Sequence, residues 1–153
     1  RESSAQAAWN NRLLPLLFAS DRVHHCRTLM EPMLAQGTWI VCDRYYHSSY
    51  AYQGMHVPFE WITSLNRFAL KPHLTVILTV PEETGRKRRK ARVADKPLPY
   101  FETTPQQKKI AHNYARLKKV LRGERLIYLD GRQTIAQIQT QLLACLKPWI
   151  APC

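Results

Sequence analysis

Residues 39–54 read WIVCDRYYHSSYAYQG, and this run decides the kind of fold to expect. Trp39, Ile40, Val41 and Cys42 form a continuous apolar stretch, the pattern of a strand covered on both faces inside a parallel sheet. At its end an acid, an arginine and a series of hydroxyl side chains begin: Asp43, Arg44, Tyr45, Ser48, Ser49 and Tyr52. Ligands of open parallel sheets gather at the carboxyl ends of the strands, so Asp43 and Arg44 stand where chemistry is expected. A carboxylate there holds a metal ion directly or through water, and an arginine grips a phosphate with two parallel hydrogen bonds.

Upstream of this run, helical spacing extends from about Ala5 to Gln36; Gly37 stops it, and Pro15 and Pro32 bend or divide it. Downstream, Tyr45 to Phe68 reads as largely helical with a break near Gly54 to Pro58. Leu74 to Val80 is a second apolar, β-branched run, and Pro81, Glu82 and Glu83 open a helix that reaches about Arg92. The stretch from Ala94 to Pro105 carries Pro97, Pro99 and Pro105 and reads as a connection. Gln106 to Arg122 is an amphipathic helix with Ile110, Tyr114, Leu117 and Leu121 at three- and four-residue spacing. Gly123 ends it, Arg125 to Leu129 makes a third strand, and Ile135 to Trp149 a last helix. Strands separated by helices imply right-handed crossovers and a parallel sheet with helices on both faces. The expected fold is therefore α/β, a three-layer α/β/α arrangement with a parallel sheet, as one domain over residues 1–153.

Composition narrows the class of partner. The 153 residues carry a formal net charge of +12, which implies an anion: a nucleotide, a nucleic acid or a membrane surface. The longest apolar run, Leu13 to Ala19, is interrupted by Pro15 and is far too short to span a bilayer, and no charged-then-apolar leader opens the chain. A soluble protein with no membrane partner is expected. The four cysteines, Cys26, Cys42, Cys145 and Cys153, form no C-x-x-C pair and no metal spacing with the six histidines. They read as reduced thiols of a cytoplasmic protein, with Cys42 inside a buried strand. His24 and His25 are adjacent, point in different directions on a helix, and read as solvated surface groups.

The Asp43-Arg44-Tyr45 sequence followed by Ser48 and Tyr52 resembles the nucleoside monophosphate site of the thymidylate kinase family. Three further segments fall in that family's order and spacing: LLFASDR at 16–22, KPHLTVILTVPEETGRKR at 71–88 and IYLDGRQTIAQI at 127–138. The resemblance implies a P-loop nucleoside monophosphate kinase fold, a homodimer formed through long helices, and transfer of the ATP γ-phosphate to dTMP with Mg²⁺. Phe18 and Arg22 are four apart on one helical face, so a flat ring and a donor can address the same ligand. The resemblance implies that Phe18 stacks on the base and Arg22 bonds its edge. It further implies that Arg44 holds the acceptor phosphate and that Asp43 supports the metal and its water. Ser48, Ser49 and Tyr52 would then contact the base and sense the sugar where a 2′-hydroxyl would lie.

Every residue from Arg86 to Arg92 except Ala91 is basic. A run of this kind reads as a solvated face or a nucleic-acid surface. By resemblance it begins the lid over the phosphates, about residues 85–105, with Arg88 and Arg92, one turn apart, as phosphate contacts. Charge neutralisation is the main task in phosphoryl transfer, where one arginine is worth on the order of 10³ to 10⁵ in rate. The family's Asp-Arg-x-Glu segment is here Ala94, Asp95, Lys96 and Pro97. Asp130, Gly131 and Arg132 stand at the loop that runs past the adenine of ATP, which makes Arg132 the candidate donor-nucleotide contact. No G-x-x-x-x-G-K-[ST] phosphate loop occurs among the 153 residues. The family places that loop upstream of every segment matched here, so the chain is expected to be the family's domain without its beginning, and these residues alone are not expected to catalyse.

The expected activity is that of a thymidylate kinase. The alternative is a non-catalytic nucleotide- or nucleic-acid-binding protein on a degenerate kinase fold, favoured by the charge and the missing loop. The basic run lacks the interleaved aromatics that stack bases, so nucleic acid is not the expected partner.

Overall fold

The computed structural model describes residues 4–93 and 104–150, with only the backbone of residues 4–8, 90, 92, 93 and 104. The proline-bearing connection expected from Ala94 lies outside the described residues up to position 103, and with it about half of the expected lid; Thr104 and Pro105 belong to the helix that follows. The described chain gathers into two compact units. One holds the residues up to Pro72 together with Lys109–Arg122; the second holds those of His73–Lys108 and from Gly123 onward.

In the first unit, α1 (Ser4–His25), a π-helical turn (Cys26–Met30) and α2 (Glu31–Ala35) follow one another without a break. The π turn has a local cause. Pro32 has no N–H to donate and its ring crowds the carbonyl four residues back, which disfavours regular α-helix at this point. The backbone widens instead, and the Glu31 N–H donates to the Cys26 carbonyl five residues back. Pro15, by contrast, lies inside α1 and does not divide it. Gly37 ends the run in the left-handed region, with φ +76°. Its N–H donates to the Leu34 carbonyl at 2.9 Å and the Thr38 N–H to the Met33 carbonyl at 3.0 Å, the paired bonds of a glycine-closed helix end.

The same unit contains α3 (Tyr46–Tyr52), a 3₁₀ turn (Gln53–Met55), α4 (Phe59–Leu65) and, from Lys109 on, α6 (Thr104–Val120). A side chain at Gly54 would collide with the Phe59 ring, so the break falls where only glycine fits. Pro58 then caps α4 in extended conformation. The core of the unit is Cys26, Met30, Tyr46, Tyr50, Ala51, Phe59, Ile62, Ile110 and Leu117, all buried. The Tyr50 and Phe59 rings meet edge-on at 5.4 Å, and the Tyr50 hydroxyl lies 2.8 Å from Thr63 Oγ1, so a large ring is buried without orphaning its phenol. Buried Asn113 donates to the Ala51 carbonyl at 3.1 Å, tying α6 to the end of α3.

The second unit contains β1 (Thr75–Thr79), α5 (Glu82–Val93), β2 (Leu126–Asp130) and α7 (Ile135–Ile150). The strands pair in parallel with Thr75 opposite Leu126 and Thr79 opposite Asp130. Ile77, Leu126 and Leu129 are its buried apolar side chains. Past the strand end the Gly131 N–H donates to the Thr79 carbonyl at 2.8 Å. A Cβ at Gly131 would come 2.8 Å from Val80 Cγ1, so the two chains approach more closely than a side chain allows.

The expected strand at 38–42 is not a strand. Val41 is 92% exposed, and Trp39 and Cys42 are exposed as well. An apolar run becomes a strand only where a neighbouring backbone takes up its N–H and C=O groups, and among the described residues no strand pairs with this one. Cys42 is accordingly not a buried thiol, and Asp43 and Arg44 follow an unpaired segment instead of a strand end. The fold is α/β, helix-rich with a small parallel sheet of two strands among the described residues.

Candidate nucleotide site

The most unusual backbone among the described residues falls on a sequence-predicted site residue. Arg44 has φ +69° and is the one non-glycine residue with positive φ among those described. A side chain in the left-handed region costs about 1–2 kcal/mol, and outliers of this kind cluster at ligand sites. Tyr45, next in sequence, is extended and stands at the N-cap of α3 without a side-chain bond to the helix end. The Arg44 guanidinium lies 5.1 Å from the centroid of the Tyr52 ring, so the last residue of α3 carries a platform for it. Asp43 and Arg44 are both exposed, and no ion pair engages either of them among the described residues.

Arg22, near the end of α1, is the centre of a second group in the same unit. Its Nη1 donates to Asn66 Oδ1, its Nη2 donates to Ser49 Oγ at 3.3 Å, and its guanidinium carbon lies 5.5 Å from the Tyr45 ring centroid. Burial lowers the Arg22 pKa, a trend opposed by the surrounding Tyr45, Cys26 and Asp21. The Tyr45 hydroxyl is 3.0 Å from Cys26 Sγ; burial, reinforced by that contact, pushes the phenol's pKa up. Ser49 is buried. Phe18 lies one turn before Arg22 on α1 with its ring exposed.

Ser48 turns to α6, where its Oγ is 3.2 Å from the Tyr114 hydroxyl. Burial raises the Tyr114 pKa, and the Ser48 bond partly offsets it. Arg22, Ser49 and Tyr45 thus form one group, Arg44 and Tyr52 a second, and Ser48 is engaged with Tyr114. Asn66, Cys26 and Tyr114 are partners that sequence reasoning missed. The four-residue spacing of Arg22 and Cys26 could have revealed the shared face; Asn66 carried only the signal of a residue at a helix end.

In the second unit Arg88 and Arg132 converge on the loop 130–132. Arg88 Nη1 donates to the Gly131 carbonyl at 2.8 Å. Arg132 grips Asp130 with Nη2 to Oδ2 at 2.7 Å and its backbone N–H to Oδ1 at 2.9 Å. Those bonds hold the Asp130 carboxyl below its usual range. Lys87 pairs with Glu83 at 3.0 Å on the surface of α5. The Arg92 side chain lies outside the described residues.

No group of three His, Cys, Asp or Glu side chains that could hold a metal occurs among the described residues. Mg²⁺ does not need one, because it keeps several waters and is bound through one or two carboxylates and substrate phosphates. An exposed Asp43 that forms no ion pair among the described residues would fit that donor set. Among the described residues no helix is long and apolar enough to cross a membrane.

Comparison with known proteins gives a consistent result. The family model described as Thymidylate kinase matches residues 2–142. The chain is 49% identical over 76 residues to a probable thymidylate kinase of Staphylothermus marinus, a match covering 49% of the chain and 38% of the relative. It is 32% identical over 134 residues to a probable thymidylate kinase of Pyrococcus horikoshii, covering 86% of the chain and 63% of the relative. It is 43% identical over 93 residues to a thymidylate kinase of Rhodopseudomonas palustris, covering 58% and 40%. The chain spans less than two thirds of the length of the curated relatives it matches.

Proposed function

The chain belongs to the thymidylate kinase family, and we propose that the protein transfers the γ-phosphate of ATP to dTMP. The observation that carries the acceptor assignment is Arg44, held in a left-handed backbone with its guanidinium exposed above Tyr52 and in no ion pair among the described residues. Arg44 binds the dTMP phosphate with a two-pronged hydrogen bond. Arg22 offers its remaining donors to the base edge, Phe18 offers a ring face, and Ser49 completes the base contact. Tyr52 packs where a ribose would carry its 2′-hydroxyl; burying that group unpaired costs about 1–3 kcal/mol. Ser48 acts from behind, linking α3 to Tyr114.

Asp43 would hold Mg²⁺ through water, and the ion would supply charge neutralisation on the transferring phosphates. Arg92 is proposed to reach phosphate from α5, and Arg88 to do so on leaving Gly131. Arg132 lies at the donor-nucleotide loop. The proposed architecture is a single three-layer P-loop nucleoside monophosphate kinase domain, with a lid at about 85–105, in a cytoplasmic protein. A homodimer is proposed through α1, which exposes Trp9, Leu13, Leu16 and Leu17 at helical spacing.

Calorimetric titration of the natural protein with dTMP and its ribonucleotide counterpart, followed by ADP release from ATP, tests this reading. Binding of dTMP, rejection of the ribonucleotide and dTMP-dependent ADP formation are expected. Absence of dTMP-dependent ADP formation refutes it.

A further inference from the structure

Arg22 is held by neutral groups alone. Its two described hydrogen bonds go to an amide oxygen and a hydroxyl, and among the described residues no carboxylate forms an ion pair with it. Asn66, which lies 44 positions away in sequence, is the C-cap of α4. Its side chain has a second partner, for Nδ2 donates to the Ile62 carbonyl at 2.8 Å. These two partners fix the amide's orientation without ambiguity. A carbonyl only accepts and a guanidinium only donates, so the NH₂ must face Ile62 and the oxygen must face Arg22. The end of α4 therefore presents one acceptor in one direction, and that acceptor aims the Arg22 guanidinium.

We propose that Asn66 is a positioning residue for base recognition: it orients Arg22 through Nη1, leaving the Nε and outer N–H donors for the base edge. The inference rests on the reading of Arg22 as a base contact. It adds the reason why the contact is made by an arginine that remains charged. A carboxylate at position 66 would clamp Arg22 but would also neutralise it and repel the Ile62 carbonyl, whereas an amide orients without either effect. Ser49, with its longer 3.3 Å contact, steadies the other terminal nitrogen, and the Tyr45 ring supports the flat face of the group. A merely structural role would make Asn66 a helix cap whose loss lowers stability and leaves nucleotide binding alone.

A double-mutant cycle on the natural protein separates these roles: Asn66→Ala, Arg22→Ala and the combination, each measured for dTMP dissociation constant, kcat and melting temperature. Asn66→Ala is expected to weaken dTMP binding about tenfold, the scale of one hydrogen bond to a charged group, with kcat at saturation close to that of the natural protein. In the Arg22→Ala background the same change is expected to have less than about a twofold effect, because its target is gone. Equal weakening in both backgrounds, or a lower melting temperature with unchanged binding, overturns the positioning role. Unchanged binding in Arg22→Ala alone would instead overturn Arg22 as a base contact, so the two failures are distinguishable. Should Asn66→Ala not fold, Asn66→Ser replaces it in the cycle, since serine still caps the helix and is too short to reach Arg22.

Discussion

Replacing Arg44 with glycine should leave the protein at least as stable as replacing it with alanine, against the usual ranking of the two residues. The backbone at φ +69° burdens any side chain by about 1–2 kcal/mol, and glycine removes that burden while alanine keeps it. Glycine loses about 0.5–1 kcal/mol more conformational entropy on folding. Both substitutions forfeit the exposed contact of Arg44 with the Tyr52 ring, about 0.5–1 kcal/mol. The net expectation is that Arg44→Gly lies about 0.5–1 kcal/mol above Arg44→Ala, or roughly 1–4 °C in melting temperature for a chain of this size. Both should weaken dTMP binding by about 1.5–3 kcal/mol, the loss of a charge-assisted hydrogen bond. Paired thermal melts and dTMP titrations provide the assay. If Arg44→Gly melts below Arg44→Ala, the left-handed conformation is not what constrains this position. Should either variant bind dTMP like the natural protein, Arg44 does not hold the phosphate.

Leu117 is fully buried in the core of the first unit, so Leu117→Ala should cost about 2–5 kcal/mol in denaturant unfolding; a change below about 1 kcal/mol would contradict that core. Gly131→Ala places a Cβ 2.8 Å from Val80 Cγ1 and 3.3 Å from the Thr79 carbonyl. It should destabilise by about 1–3 kcal/mol and raise the KM for ATP more than that for dTMP; an unaltered melting curve would show that the loop has room. Burial raises the Tyr45 phenol above its ordinary value of 10.0, and folding therefore favours the protonated form. That contribution is fully present below pH 10 and is lost as pH rises further. Tyrosinate absorbance should show Tyr45 ionising only with alkaline unfolding, and a Tyr45→Phe variant should lack that step; titration of all seven tyrosines near pH 10 in the folded protein would contradict the burial.

Helices and paired strands were legible in the sequence because their signals are local. Helical spacing from Ala5 to Gln36 and the glycine at 37 anticipated a run that ends at Ala35 with Gly37 in left-handed conformation. The apolar runs at 74–80 and 125–129 anticipated β1 and β2 to within a residue or so. Trp39 to Cys42 carried the same signal and formed no strand, since strand formation depends on a second backbone that the run itself cannot specify. The left-handed Arg44 was invisible for a related reason. Positive φ is written in sequence mainly by glycine and asparagine, and an arginine adopts it only when the surrounding chain leaves no alternative. Asn66 was missed because its partner lies 44 residues away, beyond any periodicity.

The net charge of +12 gave no location, and the structure sorts the cations by how they are balanced. Arg27 pairs with Glu31, Lys87 with Glu83 and Arg132 with Asp130; each is neutralised by a neighbour within a turn or a loop. Ion pairs so exposed add little stability, yet they remove these charges from competition for a ligand. Arg22 and Arg44 are different. Their described contacts are an amide, a hydroxyl and aromatic faces, all of which orient a guanidinium without cancelling its charge. An arginine held in this way keeps its attraction for an anion while losing some freedom of orientation; Arg22 is also partly desolvated, and burial lowers its pKa. Among the described residues no carboxylate forms an ion pair with either Arg22 or Arg44. The proposed nucleoside monophosphate would suit both, with an anionic phosphate for Arg44 and polar base-edge acceptors for Arg22. A nucleic-acid surface would instead draw on many exchangeable surface cations.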